Sequence, residues 1–91
     1  MKLVKLNEAE KFNNSDKCTV WEYPLGDKDI DCATAVIKGR YPDKGYCMNE
    51  ECKELIYVVE GNGTLNKKKE TIHFQKGDVI LIDKGCLLYT S

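Results

Sequence analysis

The side chains able to do chemistry are concentrated in one short stretch. Residues 47 to 54 carry two thiols, Cys47 and Cys52, an amide, Asn49, and three carboxylates, Glu50, Glu51 and Glu54. Thiolates bind soft metals such as zinc, and a carboxylate can complete their ligand set. Neighbouring carboxylates also offer an acid and a base for proton transfer. On a loop of alternating charge, however, Glu50 and Glu51 read first as solvated side chains. The single histidine, His73, lies in a separate segment. A lone imidazole with no second donor nearby reads as a surface or packing residue, so the stretch offers thiol and carboxylate donors without imidazole.

The chain that must position these groups has 91 residues, enough for one domain. A domain of this size buries only about 60 to 65% of the surface its unfolded chain exposes, which leaves little stability to spare. Fourteen basic residues stand against fifteen acidic ones, for a net charge of −1. That balance lacks the positive field a nucleic-acid or anionic-membrane partner needs, so neither is expected. The densest charge run, Lys67-Lys68-Lys69, reads as a solvated hairpin turn. No apolar stretch approaches the roughly 18 residues of a membrane helix, and the first residues become charged too early for an export signal. The expectation is therefore a cytoplasmic chain whose five cysteines stay reduced.

Beyond an irregular or weakly helical lead-in over residues 1–16, the pattern is β. Residues 18–23 and 32–38 are rich in β-branched, aromatic and small apolar side chains. Leu55-Ile56-Tyr57-Val58-Val59 is an unbroken apolar run of high strand propensity, which predicts a strand buried on both faces. Residues 64–66 and 71–74 form a hairpin about the lysine run, its first arm weakened by Asn66, and residues 79–82 make another strand of the buried type. Short strands at intervals of about 8 to 12 residues indicate a sandwich or barrel.

Two stretches carry a resemblance. Glu54-Leu55-Ile56-Tyr57-Val58-Val59-Glu60-Gly61, followed after a hairpin by Gly77-Asp78-Val79-Ile80-Leu81-Ile82-Asp83-Lys84-Gly85, resembles the two motifs of the cupin superfamily. Glu54 and Gly61 match the E-x6-G of the first motif, and Gly77 and Gly85 match the two glycines of the second. The resemblance covers roughly residues 32 to 85 and is to small single-domain bacterial cupins of the RmlC-like kind. It implies an all-β, cupin-type double-stranded β-helix, a jelly-roll barrel, incomplete at the C-terminus. If Glu54 points inward, so do Ile56 and Val58, leaving Leu55, Tyr57 and Val59 on the opposite face.

The same resemblance exposes a departure. The family's two metal histidines fall at 47 and 49 or at 48 and 50, where this chain has Cys47 and Asn49 or Met48 and Glu50. The second-motif histidine falls at Leu88, inside a segment that looks foreign. Cys86 to Ser91 reads as a translation of TGT CTC TTA TAC ACA TCT, a transposon end used as a sequencing adaptor. The expected organisation is thus a lead-in over 1–16, a partial cupin domain over 17–85 and a non-native tail over 86–91, as in a metagenomic gene fragment. A barrel cut at that point leaves unpaired strand edges and predicts weak stability or aggregation.

Three functional readings follow. The first is a small-molecule-binding domain of unassigned activity with no metal and no cofactor. Its pocket is the barrel interior, with Cys47, Asn49, Glu54 and Tyr57 as pocket-binding residues and no catalytic residue assigned. The second is a metal-dependent cupin enzyme, of dioxygenase or sugar isomerase type, with Glu54 as a ligand and Glu50 or Glu51 as acid or base. The third is a structural role in which the Tyr57 face forms a homodimer.

Overall fold

The protein is described by a computed structural model covering all 91 residues. It is nearly all β and antiparallel, with no α-helix and one short 3-10 turn at Leu6–Glu8. The strands fall into two compact units, Met1–Gly39 and Arg40–Ser91.

The first unit is a three-stranded sheet in the order β1 (Glu10–Ser15), β2 (Cys18–Tyr23), β3 (Cys32–Ile37). Strand β1 lies within the stretch expected to be an irregular lead-in. Its residues have poor strand propensity, but pairing with β2 through a tight hairpin supplies their backbone partners. The Lys17 N–H donates to Ser15 Oγ across the turn at 3.1 Å, and Thr19 Oγ1 donates to Asn13 Oδ1 at 3.1 Å between the strands. A register shift between Asn13 and Ser15 absorbs the turn-forming character of that run. The central strand supplies the buried Cys18, whereas all six residues of the edge strand β3 are exposed.

The second unit holds two open sheets. One pairs β4 (Glu54–Tyr57) with β7 (Val79–Ile82), setting Glu54 opposite Ile82, Leu55 opposite Leu81, Ile56 opposite Ile80 and Tyr57 opposite Val79. The other runs β6 (Thr71–Gln75), β5 (Asn62–Asn66), β8 (Tyr89–Thr90). No sheet closes on itself.

Two expectations change here. Strands β4 and β7 are covered on one face only. Val58 is 8% exposed, while Leu55, Tyr57 and Val59 are 74%, 63% and 70% exposed, and Val79 and Leu81 across the pair are 60% and 63%. An apolar run marks strand propensity, but whether a second layer covers it depends on what the rest of the chain supplies. Asn66 strengthens β5 instead of weakening it. Its side chain is buried, with Nδ2 donating to Thr64 Oγ1 at 2.8 Å and to the Tyr89 carbonyl at 3.4 Å, and Oδ1 accepting from Thr71 Oγ1 at 3.1 Å. One amide thus ties together β5, β6 and β8.

The final segment is woven into the unit. Leu65 pairs with Thr90 and Asn66 with Tyr89, while Tyr41 and Cys47 bridge to Thr90 and Leu88. Where β5 passes the chain end, a side chain is excluded. A Cβ on Gly63 would stand 2.7 Å from the Ser91 carbonyl oxygen and 2.8 Å from the Phe74 ring.

Replacing Asn66 with Ala removes all three links and leaves the Tyr89 carbonyl and Thr71 hydroxyl short of a partner. We expect a loss of about 1 to 3 kcal/mol in urea unfolding. For a unit with so small a core, this should be a large fraction of its stability. A midpoint unchanged by the substitution would refute the latch.

Candidate functional site

The second unit carries an open concavity of about 560 Å³, and the reactive stretch forms much of its wall. Several elements build it. Strand β4 contributes Glu54, and its pairing with β7 brings Ile82 alongside. The chain from Cys47 to Glu51 forms one wall, with Tyr41, Cys86 and Leu88 completing the lining.

Backbone pairing backs this wall. The Cys47 N–H donates to the Leu88 carbonyl at 2.9 Å and the Cys47 carbonyl accepts the return bond from the Leu88 N–H at 3.0 Å, and Tyr41 exchanges two 2.8 Å bonds with Thr90. Arg40 fixes the segment between Tyr41 and Cys47. Its guanidinium donates to the Pro42 and Gly45 carbonyls at 2.8 Å each and lies 4.1 Å from the centre of the Tyr89 ring, which also meets Tyr46 edge-on at 5.6 Å. A planar fork that bonds two carbonyls while stacking on an aromatic face is a task for arginine and not for lysine.

Asn49 organises the loop. Its Oδ1 accepts from the backbone N–H groups of Glu51 at 2.9 Å and Cys52 at 3.2 Å. Its Nδ2 donates to Glu54 Oε1 at 3.3 Å and Cys52 Sγ at 3.3 Å. With two acceptor sites and two donor hydrogens, the amide is fully used inside the protein. Asn49 therefore holds Glu54 and the loop in place, and its hydrogen-bonding capacity is not free for a ligand. Glu54 keeps one carboxylate oxygen outside this network.

Cys47 stays a thiol. Desolvation in the concavity raises its pKa, the negative charge of Glu54 raises it further, and a backbone hydrogen bond opposes both. Its Sγ donates to the Leu88 carbonyl at 3.5 Å. A thiol held protonated is a poor nucleophile, because attack needs the thiolate.

Of the residues singled out from the sequence, Cys47, Asn49 and Glu54 lie together in this lining and Tyr57 does not. Alternation along β4 turns Tyr57 to the face opposite Glu54, where it is exposed. His73 is in β6, outside the lining. Sequence reasoning missed Tyr41, Ile82 and Cys86 as wall residues. Ile82 was within reach, since pairing the two motif strands sets it opposite Glu54. Tyr41 and Cys86 are joined to the site by long-range bridges that leave no local signal.

The lining brings together a protonated thiol, a committed amide, carboxylates and Leu88, with no imidazole among them. No three His, Cys, Asp or Glu side chains converge as a metal site requires. This donor set does not fit a resident transition metal. The first unit has its own shallow concavity of about 410 Å³, where the Lys11 ammonium lies 5.8 Å from the Trp21 ring centre. Its lining offers one cation and no carboxylate or thiol, so the second unit holds the candidate site.

No family model matches the sequence, and no curated protein matches it. Solved structures do. Two single-substitution variants of Streptomyces PAC13, each with uridine, superpose with a TM-score of 0.85 at 17% identity, covering 99% of this chain and 72% of that one. A likeness at this level of identity carries the fold: a cupin-like, all-β arrangement.

The raised Cys47 pKa has a measurable consequence. Replacing Glu54 with Gln removes a negative charge beside the sulfur, so the pKa falls and the thiolate fraction at pH 8 rises. Iodoacetamide should then modify Cys47 several-fold faster than in the wild type, as read by peptide mass spectrometry. An equal or slower rate would refute the coupling.

Proposed function

We propose that the second unit binds a small, uncharged, hydroxyl-bearing molecule in the concavity, without a metal, and that the protein is a ligand-binding member of the cupin fold with its jelly roll open. The observation that carries this reading is the charge of the lining. Glu50, Glu51 and Glu54 are carboxylates, and no lysine or arginine is among the lining residues. Phosphates and carboxylates would meet only repulsion there. A neutral ligand with hydroxyl donors can instead satisfy the oxygen of Glu54 that Asn49 leaves free, in a charge-assisted hydrogen bond. Tyr41, Ile82 and Leu88 supply an apolar surface for a sugar or base ring.

The PAC13 structures contain uridine, a neutral nucleoside with vicinal hydroxyls, which makes it a fitting first probe. In this reading Glu54 orients the ligand, Asn49 orients Glu54, and the Cys47 thiol and Leu88 shape the wall. Binding rather than turnover is proposed, since no group in the lining is matched to a reaction step.

Calorimetry with uridine and uridine monophosphate tests the assignment. Uridine should bind, and the monophosphate should bind at least tenfold more weakly because its phosphate enters a field of carboxylates. Replacing Glu54 with Gln should weaken uridine binding by about tenfold to a hundredfold, the equivalent of about 1.5 to 3 kcal/mol for a hydrogen bond to a charged group. Tighter binding of the monophosphate would overturn the charge argument.

Metal analysis of protein purified without chelator tests the other half of the reading. Stoichiometric zinc, iron or manganese would favour instead the metal-dependent enzyme reading, with Glu54 as a ligand.

A further inference from the structure

We propose that the concavity of the first unit is a second, separate binding site, and that it takes a small aromatic carboxylate. The concavity measures about 410 Å³ and is lined by Leu6, Asn7, Ala9, Lys11, Trp21 and Thr34, all within the first unit. That volume falls near the lower end of the range for small-molecule sites.

Strand register builds its floor. Lys11 of β1 pairs with Trp21 of β2, and Trp21 pairs with Thr34 of β3, so the three side chains stand in one row on the same face of the sheet. The neighbouring row, Glu10, Glu22 and Ala33, belongs to the opposite face, which turns both carboxylates of these strands away from the site. The 3-10 turn adds Leu6 and Asn7. Its one carboxylate is engaged elsewhere, with Glu8 Oε1 accepting the Lys5 N–H at 3.2 Å outside the lining.

The polar groups of this lining are unspent, in contrast to Asn49 in the second unit. Lys11 Nζ meets only the indole, 5.8 Å from the ring centre, near the outer limit of a cation–π contact, and it has no carboxylate partner. The Trp21 N–H, the Thr34 hydroxyl and the Asn7 amide make no hydrogen bond within the protein. None of them is sealed from water, since no buried side-chain polar atom lacks a partner. An ammonium and an indole N–H can only donate, and the amide and hydroxyl can donate as well, so the head group that satisfies them is rich in acceptors. One cation with no carboxylate beside it favours a singly charged anion, a carboxylate over a doubly charged phosphate. Leu6, Ala9 and the face of the Trp21 ring supply apolar surface next to it, which suits a flat ring. The two units thereby select opposite ligands, the second repelling anions and the first attracting them.

Trp21 is the single tryptophan of the chain, so its indole N–H resonance reports on this site alone. Titration of the isotope-labelled full chain with sodium benzoate at constant ionic strength should move that resonance along a saturable curve. A ligand so small, held through one charge, binds in the millimolar range. Benzamide, the same ring with a neutral head group, should bind about threefold to tenfold more weakly, the modest factor expected of a partner charge in contact with water. Lys11→Gln should erase the preference for benzoate over benzamide, and Lys11→Arg should keep it. If Lys11→Gln disturbs folding, the comparison of benzoate with benzamide on the wild type decides. Equal binding of the two probes would overturn the proposal. So would a folded Lys11→Gln variant that retains the preference, or an indole resonance that benzoate leaves unmoved.

Discussion

The alternation of side chains along β4, locked by its pairing with β7, is the constraint on which both surfaces of the second unit depend. Successive residues of a strand point to opposite faces. The register that sets Glu54 opposite Ile82 therefore commits Glu54, Ile56 and Val58 to one side and Leu55, Tyr57 and Val59 to the other. A slip of one residue would exchange the two sets, sending the carboxylate out and the tyrosine in. Polar concavity and bare apolar face are two results of one register.

Holding that register falls to a few polar groups, because the hydrophobic core is small. Only Cys18, Val58 and Leu65 are buried apolar residues, and none of the larger side chains is fully enclosed. In the second unit, side-chain amides and a guanidinium bridge the gaps. Asn66 joins three strands, Asn49 ties its loop to Glu54, and Arg40 fastens the segment that carries Tyr41 to Tyr89. Hydrogen bonds of this kind are individually modest, but a partner left unsatisfied costs more than the bond supplied. The unit is thus specified more by polar geometry than by apolar volume.

The site shows how a fold and its chemistry can part company. The side chains that meet in the concavity have different tasks: Asn49 is absorbed in scaffolding, Cys47 keeps its proton beside Glu54, and Leu88 adds apolar surface. The shape of the concavity rests on backbone pairing between Cys47 and Leu88 and between Glu54 and Ile82, not on any imidazole. Fold and reaction are separate properties, and the second must be argued from the groups present.

The sequence by itself determined the all-β character, strands at 18–23, 32–38, 55–59, 64–66, 71–74 and 79–82 that match the observed ones to within a few residues, and the parity that separates Glu54 from its neighbours. These are local properties, carried by β-branched and aromatic runs, by turn glycines and by a two-residue repeat. It could not reveal that Asn13 and Ser15 pair in a strand, since their partners on β2 override their own preference. Nor could it show that Asn66 is a buried latch, that Tyr41 and Cys86 reach the concavity, or that nothing covers Leu55 and Leu81. Each of those facts depends on residues distant along the chain. A side chain's hydrogen-bond partners and its exposure are properties of the space around it, and tertiary structure alone decides what fills that space.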